Sequence, residues 1–177
     1  HQHPPQSNCC KIYVQKWLRI FISLSSKSNS CYNRIGQIKE GEHNMKIQSV
    51  AILGAGAVGS YIIWGLSKKD TIRLGVIAEG NRAQRLKESG CAINGAVYRP
   101  EVWTPQEAQG VDLLVVALKY GSLPGALESI KTAVGSNTVV MSLMNGVDSE
   151  ELIAAQVGAE HLLYSFIKVA SHKEADG

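Results

Sequence analysis

A glycine-rich turn between an apolar segment and an amphipathic segment is the feature that most constrains the fold of this chain. Residues 47–53 (IQSVAIL) are typical of a buried β-strand, and a GxGxxG motif follows them directly. The motif consists of Gly54, Ala55, Gly56, Ala57, Val58 and Gly59. In this context the first glycine allows a tight turn, the second lets the backbone approach a pyrophosphate, and the third lets helix and strand pack closely. The alternative is a turn that needs glycines only for its own geometry, but the context favours a dinucleotide-binding turn.

Strand and helix patterns alternate from Met45 onward. Apolar runs predict strands at 47–53, 72–78, 113–118, 138–144 and 161–169, and helical spacing predicts helices at 57–68, 81–89, 122–134 and 149–157. Residues 92–103 contain Asn94-Gly95 between apolar residues, which predicts a β-hairpin. Apolar strands that alternate with short helices are typical of a parallel sheet covered on both faces. The sequence therefore predicts a doubly wound α/β domain over residues 45–177, with a Rossmann-like nucleotide-binding fold.

The first 44 residues differ from the rest in charge and composition. They contain six basic and two acidic residues, a balance of +4, whereas residues 45–177 contain twelve basic and thirteen acidic residues, a balance of −1. Lys39-Glu40-Gly41 can be encoded by a purine-rich stretch that resembles a bacterial ribosome-binding site, at a suitable distance before Met45. We interpret residues 1–44 as a leader, either translated upstream DNA or a disordered tail.

Several classes of protein are excluded by composition and charge. No apolar run approaches the ~18 residues that a membrane-spanning helix needs, and the run 17–24 is short and interrupted by Arg19. Residues 45–177 have no basic footprint for nucleic acid. The four cysteines fit neither a disulfide framework nor a zinc pattern, so no metal site is expected, and Cys91 is compatible with a cytoplasmic protein.

The end of the second predicted strand bears on the choice of cofactor. Glu79 lies twenty residues beyond Gly59, where an acid would accept hydrogen bonds from a ribose 2′-hydroxyl and favour NADH. Arg82 could instead hold the 2′-phosphate of NADPH through charge-assisted hydrogen bonds. Both side chains could also be solvated residues at the start of a helix, so the residues alone leave NADPH and NADH open.

Polar side chains follow two other predicted strands. Lys119 comes directly after the run 113–118, and Asn145 follows the run 138–144. In a doubly wound sheet the ligand lies beyond the carboxyl ends of the strands, so both residues are candidates for binding the cofactor, and Asn145 also for lying next to the substrate. Each residue also has an explanation without a ligand: Lys119 could be an ordinary surface lysine, and Asn145 could belong to an ordinary Asn-Gly turn.

These segments together resemble the N-terminal domain of the ketopantoate reductase (2-dehydropantoate 2-reductase) family. The resemblance rests on KIQSVAILGAGAVGSYI, NRAQRLKESGCAING, DLLVVALKY and VVMSLMNGVDSEEL, and it extends from Met45 to Gly177. It implies that Lys119 contacts the cofactor and that Asn145 lies near nicotinamide and substrate. It also implies a cytoplasmic enzyme that reduces a small 2-keto acid, 2-dehydropantoate, to pantoate with NADPH, on the way to pantothenate and coenzyme A.

The chain departs from the family pattern in two respects. Glu79 stands where the family often has an arginine for the 2′-phosphate, so Arg82 would have to replace that arginine. The family's second, helical domain holds the catalytic lysine, and Lys168 and Lys173 lie too early to match it. We therefore expect a truncated two-domain reductase, with the C-terminal helical domain absent and no catalytic residue in this chain.

Two rival interpretations and the oligomeric state remain open at this point. One rival is the first half of another dehydrogenase, acting on an opine, a sugar nucleotide or a hydroxy acid. The other is a lone nucleotide-sensing module, which need not have polar residues such as Lys119 and Asn145 at its crevice. A truncated domain would expose apolar surface, which is compatible with a homo-oligomer.

Overall fold

The main sheet has six parallel strands in the order that defines a doubly wound nucleotide-binding fold. The computed structural model describes residues 12–14, 20–21, 47–144, 148–167 and 171–173. The strands of this sheet are β3 (Ser49–Leu53), β4 (Arg73–Ile77), β7 (Glu101–Trp103), β8 (Leu113–Val116), β9 (Val139–Ser142) and β10 (Leu162–Leu163). They lie in the order β7-β4-β3-β8-β9-β10, and each neighbouring pair is parallel. Counted along the chain this is 3-2-1-4-5-6, the order of two mononucleotide-binding halves, so the predicted fold class is confirmed.

In the described residues, four α-helices and three short 3₁₀ turns connect these strands. The α-helices are α1 (Ala57–Leu66), α2 (Gly80–Ser89), α3 (Leu127–Ala133) and α4 (Ser149–Val157), and the 3₁₀ turns are Tyr120–Ser122, Pro124–Ala126 and Ala159–His161. The sequence predicts one helix over 122–134, whereas the structure has two 3₁₀ turns before α3. Pro124 has no N–H to donate and Gly125 is a weak helix former, which explains why the regular helix begins only at Leu127.

The central strand β3 is buried on both faces, in two separate hydrophobic clusters. Val50 and Ile52 face a cluster that includes Ile63 of α1. Ala51 and Leu53 face the opposite cluster, which includes side chains of α3 and α4 such as Ile130 and Ile153. Because successive side chains of a strand point to opposite faces, helices must cover both sides of the sheet. This explains why the strands are continuously apolar rather than alternating.

The predicted hairpin is present, but it ends earlier than the sequence suggests. Strands β5 (Cys91–Ile93) and β6 (Ala96–Tyr98) pair in antiparallel fashion around Asn94-Gly95. Both turn residues have positive φ, 51° at Asn94 and 79° at Gly95, as a type I′ turn requires. Residues 101–103, which the sequence assigns to the same hairpin, form β7 instead and pair in parallel with β4.

The edge strand β7 is attached to β4 by a small cluster around Trp103. The Arg73 guanidinium donates from Nε and from a terminal nitrogen to the two Glu101 oxygens, at 3.3 and 2.9 Å. The Trp103 indole N–H donates to the same carboxylate at 2.8 Å, and the ring lies against Gly75. A side chain at position 75 would overlap the indole ring, so a glycine is needed for this packing.

The remaining described elements are short strands at both ends of the chain. They are β1 (Ile12–Val14), β2 (Ile20–Phe21), β11 (Phe166–Ile167) and β12 (Ser171–Lys173). β1 pairs with β5 and β12, and β2 pairs with β11. Of the strand predicted over 161–169, the described residues 161–167 contain two shorter strands, β10 and β11, and residues 168–169 lie outside the described residues. The interpretation of residues 1–44 as a leader stays a prediction. Within the described ranges, no helix is long and apolar enough to cross a bilayer.

Candidate functional site

The candidate site lies where the strand order changes direction, at the carboxyl ends of β3 and β8. These two strands are neighbours in the sheet, but the chain proceeds from β3 toward β4 on one side and from β8 toward β9 on the other. The Ala117 N–H donates to the Leu53 carbonyl at 2.9 Å, which continues the pairing just beyond β8. A crevice at such a point is where open α/β sheets bind their ligands.

The three glycines of the motif lie in three different environments. Gly54 has φ 106°, and a Cβ there would lie 2.6 Å from the Ala117 carbonyl oxygen. A glycine is therefore needed here both for the turn and for the close contact between the ends of β3 and β8. A Cβ on Gly59 would overlap the Gly54 carbonyl oxygen, so Gly59 allows α1 to pack against the turn. A Cβ on Gly56 would meet no heavy atom within 4 Å. Two of the glycines are therefore required by the fold, and Gly56 is not.

The N-terminus of α1 is suited to an anion. Gly56 is the residue that precedes the helix, with φ −78° and ψ −163°, and its carbonyl accepts the Ser60 N–H at 2.8 Å. No side chain of a described residue caps this end, and the first turn has no acidic residue. Gly56 and Ala57 are exposed. The positive end of the helix dipole and its first N–H groups thus face the crevice without a competing carboxylate.

Glu79 and Arg82 lie at the start of α2, directly after β4. Glu79 precedes the helix in an extended conformation, and Gly80 has φ 56°. Both side chains are exposed. Within the described part of the chain, neither makes a hydrogen bond or an ion pair that would hold it away from a ligand. Because β4 is the neighbour of β3, these two residues lie on the β4 side of the glycine turn.

Lys119 lies on the β8 side of the crevice. It is exposed, and its carbonyl accepts the Ser122 N–H at 2.8 Å, so the residue begins the 3₁₀ turn Tyr120–Ser122. Ala117, two residues earlier, is the residue in close contact with Gly54. Lys119 therefore lies two residues along the chain from the contact with the glycine turn, and its role in binding the cofactor stays a prediction.

Asn145 lies outside the described residues, so its predicted position is not tested. The chain is described up to Met144, and the Leu143 N–H donates to the Val116 carbonyl at 2.8 Å. The pairing of β9 with β8 thus extends one residue beyond Ser142, at the same edge of the sheet as the glycine turn.

A buried polar network at this edge has no counterpart in the sequence-based prediction. The hydroxyls of Ser142 and Ser149 lie 2.9 Å apart, and Ser149 donates to a Glu150 oxygen at 2.7 Å. Since the single hydrogen of Ser149 goes to the carboxylate, Ser142 must be the donor to Ser149. The Ser165 hydroxyl in turn donates to the Ser142 carbonyl at 3.0 Å. The network joins β9 to the start of α4. Its one sign in the sequence is Ser142, a serine within an otherwise apolar strand.

A second cluster around a carboxylate lies at the amino-terminal ends of the central strands β3 and β8, opposite the crevice. One Asp112 oxygen accepts the N–H groups of Gln48 and Ser49 and the Ser49 hydroxyl, at 2.9, 2.8 and 2.8 Å. Burial, the largest single influence, raises the pKa of Asp112, but the hydrogen bonds from Gln48 and Ser49 together lower the pKa below its ordinary value. Because Asp112 precedes β8 and Ser49 begins β3, the cluster aligns the two strands that form the crevice at their other ends.

Other features of the described residues do not add to the site. A groove of about 440 Å³ is lined by residues such as Ser67, Tyr98 and Arg99, and it lies beside the amino-terminal end of β4 rather than beside the glycine turn. Among the residues that the structure describes, no group of His, Cys, Asp and Glu side chains could hold a metal ion.

Comparisons with known proteins agree with this geometry. The fold and the glycine turn define a Rossmann-type nucleotide-binding domain. Residues 50–177 match the family described as Ketopantoate reductase PanE/ApbA, and the chain belongs to this family. The predicted resemblance is thus confirmed, and with it membership in a family of oxidoreductases.

Individual relatives are matched over part of their length. The chain is 29% identical to the 2-dehydropantoate 2-reductase of Streptococcus pyogenes serotype M3 over 118 residues, which are 64% of this chain and 38% of the relative. Among solved structures, the 2-dehydropantoate 2-reductase of Geobacter metallireducens GS-15 matches at 28% identity and a TM-score of 0.53, covering 64% of this chain and 39% of that one. The ternary structure of D-mandelate dehydrogenase with NADH and anilino(oxo)acetate matches at 26% identity and a TM-score of 0.54, with the same coverage of 64% and 39%. The chain therefore spans about two fifths of the length of these relatives.

Proposed function

We propose that this chain is the NADPH-binding half of a cytoplasmic 2-dehydropantoate 2-reductase, which forms pantoate for pantothenate and coenzyme A biosynthesis. The observation that supports this most is the open position at Gly56, beside an uncapped helix N-terminus at the switch point of a 3-2-1-4-5-6 sheet. Membership in the ketopantoate reductase family supports the reaction and the substrate class.

The residues of the crevice fit a dinucleotide. Gly56 leaves room where a Cβ would otherwise stand, and the first N–H groups of α1 offer hydrogen bonds to a pyrophosphate. We assign Gly54, Ala55, Ala57, Val58 and Gly59 to the same binding turn. Bound NADPH would supply a hydride to the substrate carbonyl carbon.

We favour NADPH over NADH because Arg82 is exposed and makes no ion pair with another described residue, so its guanidinium is available for a 2′-phosphate. Glu79 argues against this assignment, because its carboxylate would repel a 2′-phosphate bound beside it. The positive charge of Lys119 on the other side of the crevice adds to the attraction for a cofactor with an additional phosphate.

Asn145 is proposed to hydrogen-bond the nicotinamide ribose or a substrate oxygen, since an amide can donate and accept at once. Reduction of the ketone also needs a proton for the oxygen of the new alcohol. We propose that the donor lies outside residues 1–177, on a second domain of the kind that the resemblance implies. The chain itself then binds cofactor without turning over substrate.

A second candidate is the first half of an NADH-dependent dehydrogenase for another 2-hydroxy acid. The match to D-mandelate dehydrogenase has nearly the same sequence identity and TM-score as the match to the Geobacter reductase. The structure of D-mandelate dehydrogenase was solved with NADH. Glu79 at the end of β4 would then hold the ribose 2′-hydroxyl.

The experiment is a titration of the purified chain with NADPH, with and without 2-dehydropantoate, followed through NADPH absorbance and calorimetry. We expect saturable binding of NADPH and no loss of absorbance beyond that of a protein-free blank. Turnover at the rate of a complete two-domain reductase would mean that the proton donor lies within this chain. Preference for NADH, with tighter cofactor binding in the presence of anilino(oxo)acetate than of 2-dehydropantoate, would favour the second candidate.

A further inference from the structure

One large side chain at the crevice is exposed although it is aromatic. Among the described residues, the exposed large apolar side chains are Val97, Tyr120 and Leu152, of which Tyr120 has 47% of its surface accessible. Val97 lies on the β5–β6 hairpin and Leu152 on α4. Of these three residues, Tyr120 is the one that lies just beyond the carboxyl end of β8, next to Lys119.

The backbone that presents Tyr120 is held in place. The Ser122 N–H donates to the Lys119 carbonyl at 2.8 Å, and the Leu123 N–H donates to the Tyr120 carbonyl at 3.0 Å. Leu123 is completely buried in the core below. The turn is therefore anchored on both sides of the aromatic residue, and a ligand that contacts the ring need not order the backbone first.

The distance of Tyr120 from the glycine turn is limited by the short stretch of chain between Ala117 and Tyr120. Ala117 is in close contact with Gly54, and three residues of chain span at most about 11 Å. Tyr120 therefore lies within reach of a ligand whose phosphates sit at Gly56. Its ring makes no contact with another aromatic ring in the described part of the chain. An exposed flat ring beside the cation Lys119 matches a ligand that has both phosphates and a planar base.

We propose that Tyr120 is a cofactor-binding residue that stacks against one of the two heteroaromatic rings of the bound dinucleotide, adenine or nicotinamide. The proposal rests on the proposed function, since it needs a dinucleotide in the crevice. Stacking of a base on an aromatic side chain corresponds to about a fivefold to hundredfold change in affinity on substitution by alanine.

The test compares Tyr120→Ala, Tyr120→Phe and the control Val97→Ala in the full chain. Val97 is also exposed and apolar, and it lies outside the crevice. Calorimetry measures the affinity of each variant for NADPH, and competition measures the affinities for adenosine 2′,5′-bisphosphate and nicotinamide mononucleotide. We expect Tyr120→Ala to weaken NADPH about fivefold to a hundredfold, while Tyr120→Phe and Val97→Ala bind as the wild type does.

The two fragments identify which ring is stacked. A loss confined to the bisphosphate assigns adenine, and a loss confined to the mononucleotide assigns nicotinamide. An equal loss for both fragments, or unchanged NADPH affinity in Tyr120→Ala, overturns the proposal. If the wild-type chain binds no dinucleotide, the proposed function fails and this inference fails with it. If the wild type binds and only the effect of Tyr120→Ala is missing, the proposed function stands.

Discussion

Replacement of Gly56 by valine separates binding from folding at the glycine turn. A Cβ at this position meets no heavy atom within 4 Å, and the backbone has φ −78° and ψ −163°, which any residue can adopt. Glycine is clearly preferred over apolar residues at the position before a helix, so the variant should fold with a free energy of unfolding about 1 kcal/mol below that of the wild type.

The loss of binding should be much larger than the loss of stability. The added side chain occupies the space that a pyrophosphate needs against the first turn of α1. A hydrogen bond to a charged group contributes about 1.5–3 kcal/mol, so the loss of two N–H bonds to phosphate weakens binding about a hundredfold or more. Gly56→Val should therefore bind NADPH at least about a hundredfold more weakly.

Calorimetric titration with NADPH measures the binding, and urea unfolding measures the stability. Gly65→Val is the matched control, because a Cβ on Gly65 also meets nothing within 4 Å and the residue lies in the last turn of the same helix. Gly59→Ala is a contrasting variant, since its Cβ would overlap the Gly54 carbonyl oxygen, and it should lose stability as well as binding. Wild-type affinity in Gly56→Val would refute the assignment of the glycine turn to the pyrophosphate.

Three further predictions concern the cofactor, the sheet and its edge. Arg82→Ala should weaken NADPH about tenfold to a hundredfold and leave NADH unchanged; competition between the two cofactors measures this, and an equal loss for both would contradict the proposed role. Asp112→Asn should cost about 1.5–3 kcal/mol at neutral pH. Because the folded-state pKa of Asp112 is lowered, the stabilisation that its carboxylate gives the fold is complete above about pH 4 and is lost as the pH falls through that pKa. Urea unfolding should therefore show the stability difference between Asp112→Asn and wild type disappearing in acid. A difference that does not change with pH would refute the role of the carboxylate. Gly75→Ala should displace the Trp103 ring and cost about 1–3 kcal/mol, with a red-shifted tryptophan emission, and unchanged emission and stability would contradict that packing.

The sequence predicts the strands and the glycine turn well because their signals are local. A continuously apolar run, glycines at fixed spacing and an Asn-Gly pair each depend on the conformation of a few neighbouring residues. The positive φ values of Gly54 and Asn94 show that these local demands are met in the fold. The parallel order of the strands follows from the same alternation of strands and helices.

What the sequence could not predict depends on contacts between distant residues. The assignment of 101–103 to the hairpin was wrong because pairing with β4 depends on the Trp103 ring lying against Gly75, 28 residues earlier. The Asp112 cluster joins residues 63 and 64 positions apart. The buried link between Ser142 and Ser149 likewise becomes apparent only once β9 and the start of α4 are placed together.

The affinities of the wild-type chain for NADPH and NADH, measured by calorimetry in one buffer of fixed ionic strength, decide whether the crevice between β3 and β8 binds a dinucleotide. We expect saturable binding of one NADPH per chain, with NADH weaker by about tenfold or more. The absence of binding of either cofactor at concentrations that saturate a complete relative would contradict the claim that the crevice between β3 and β8 binds a dinucleotide.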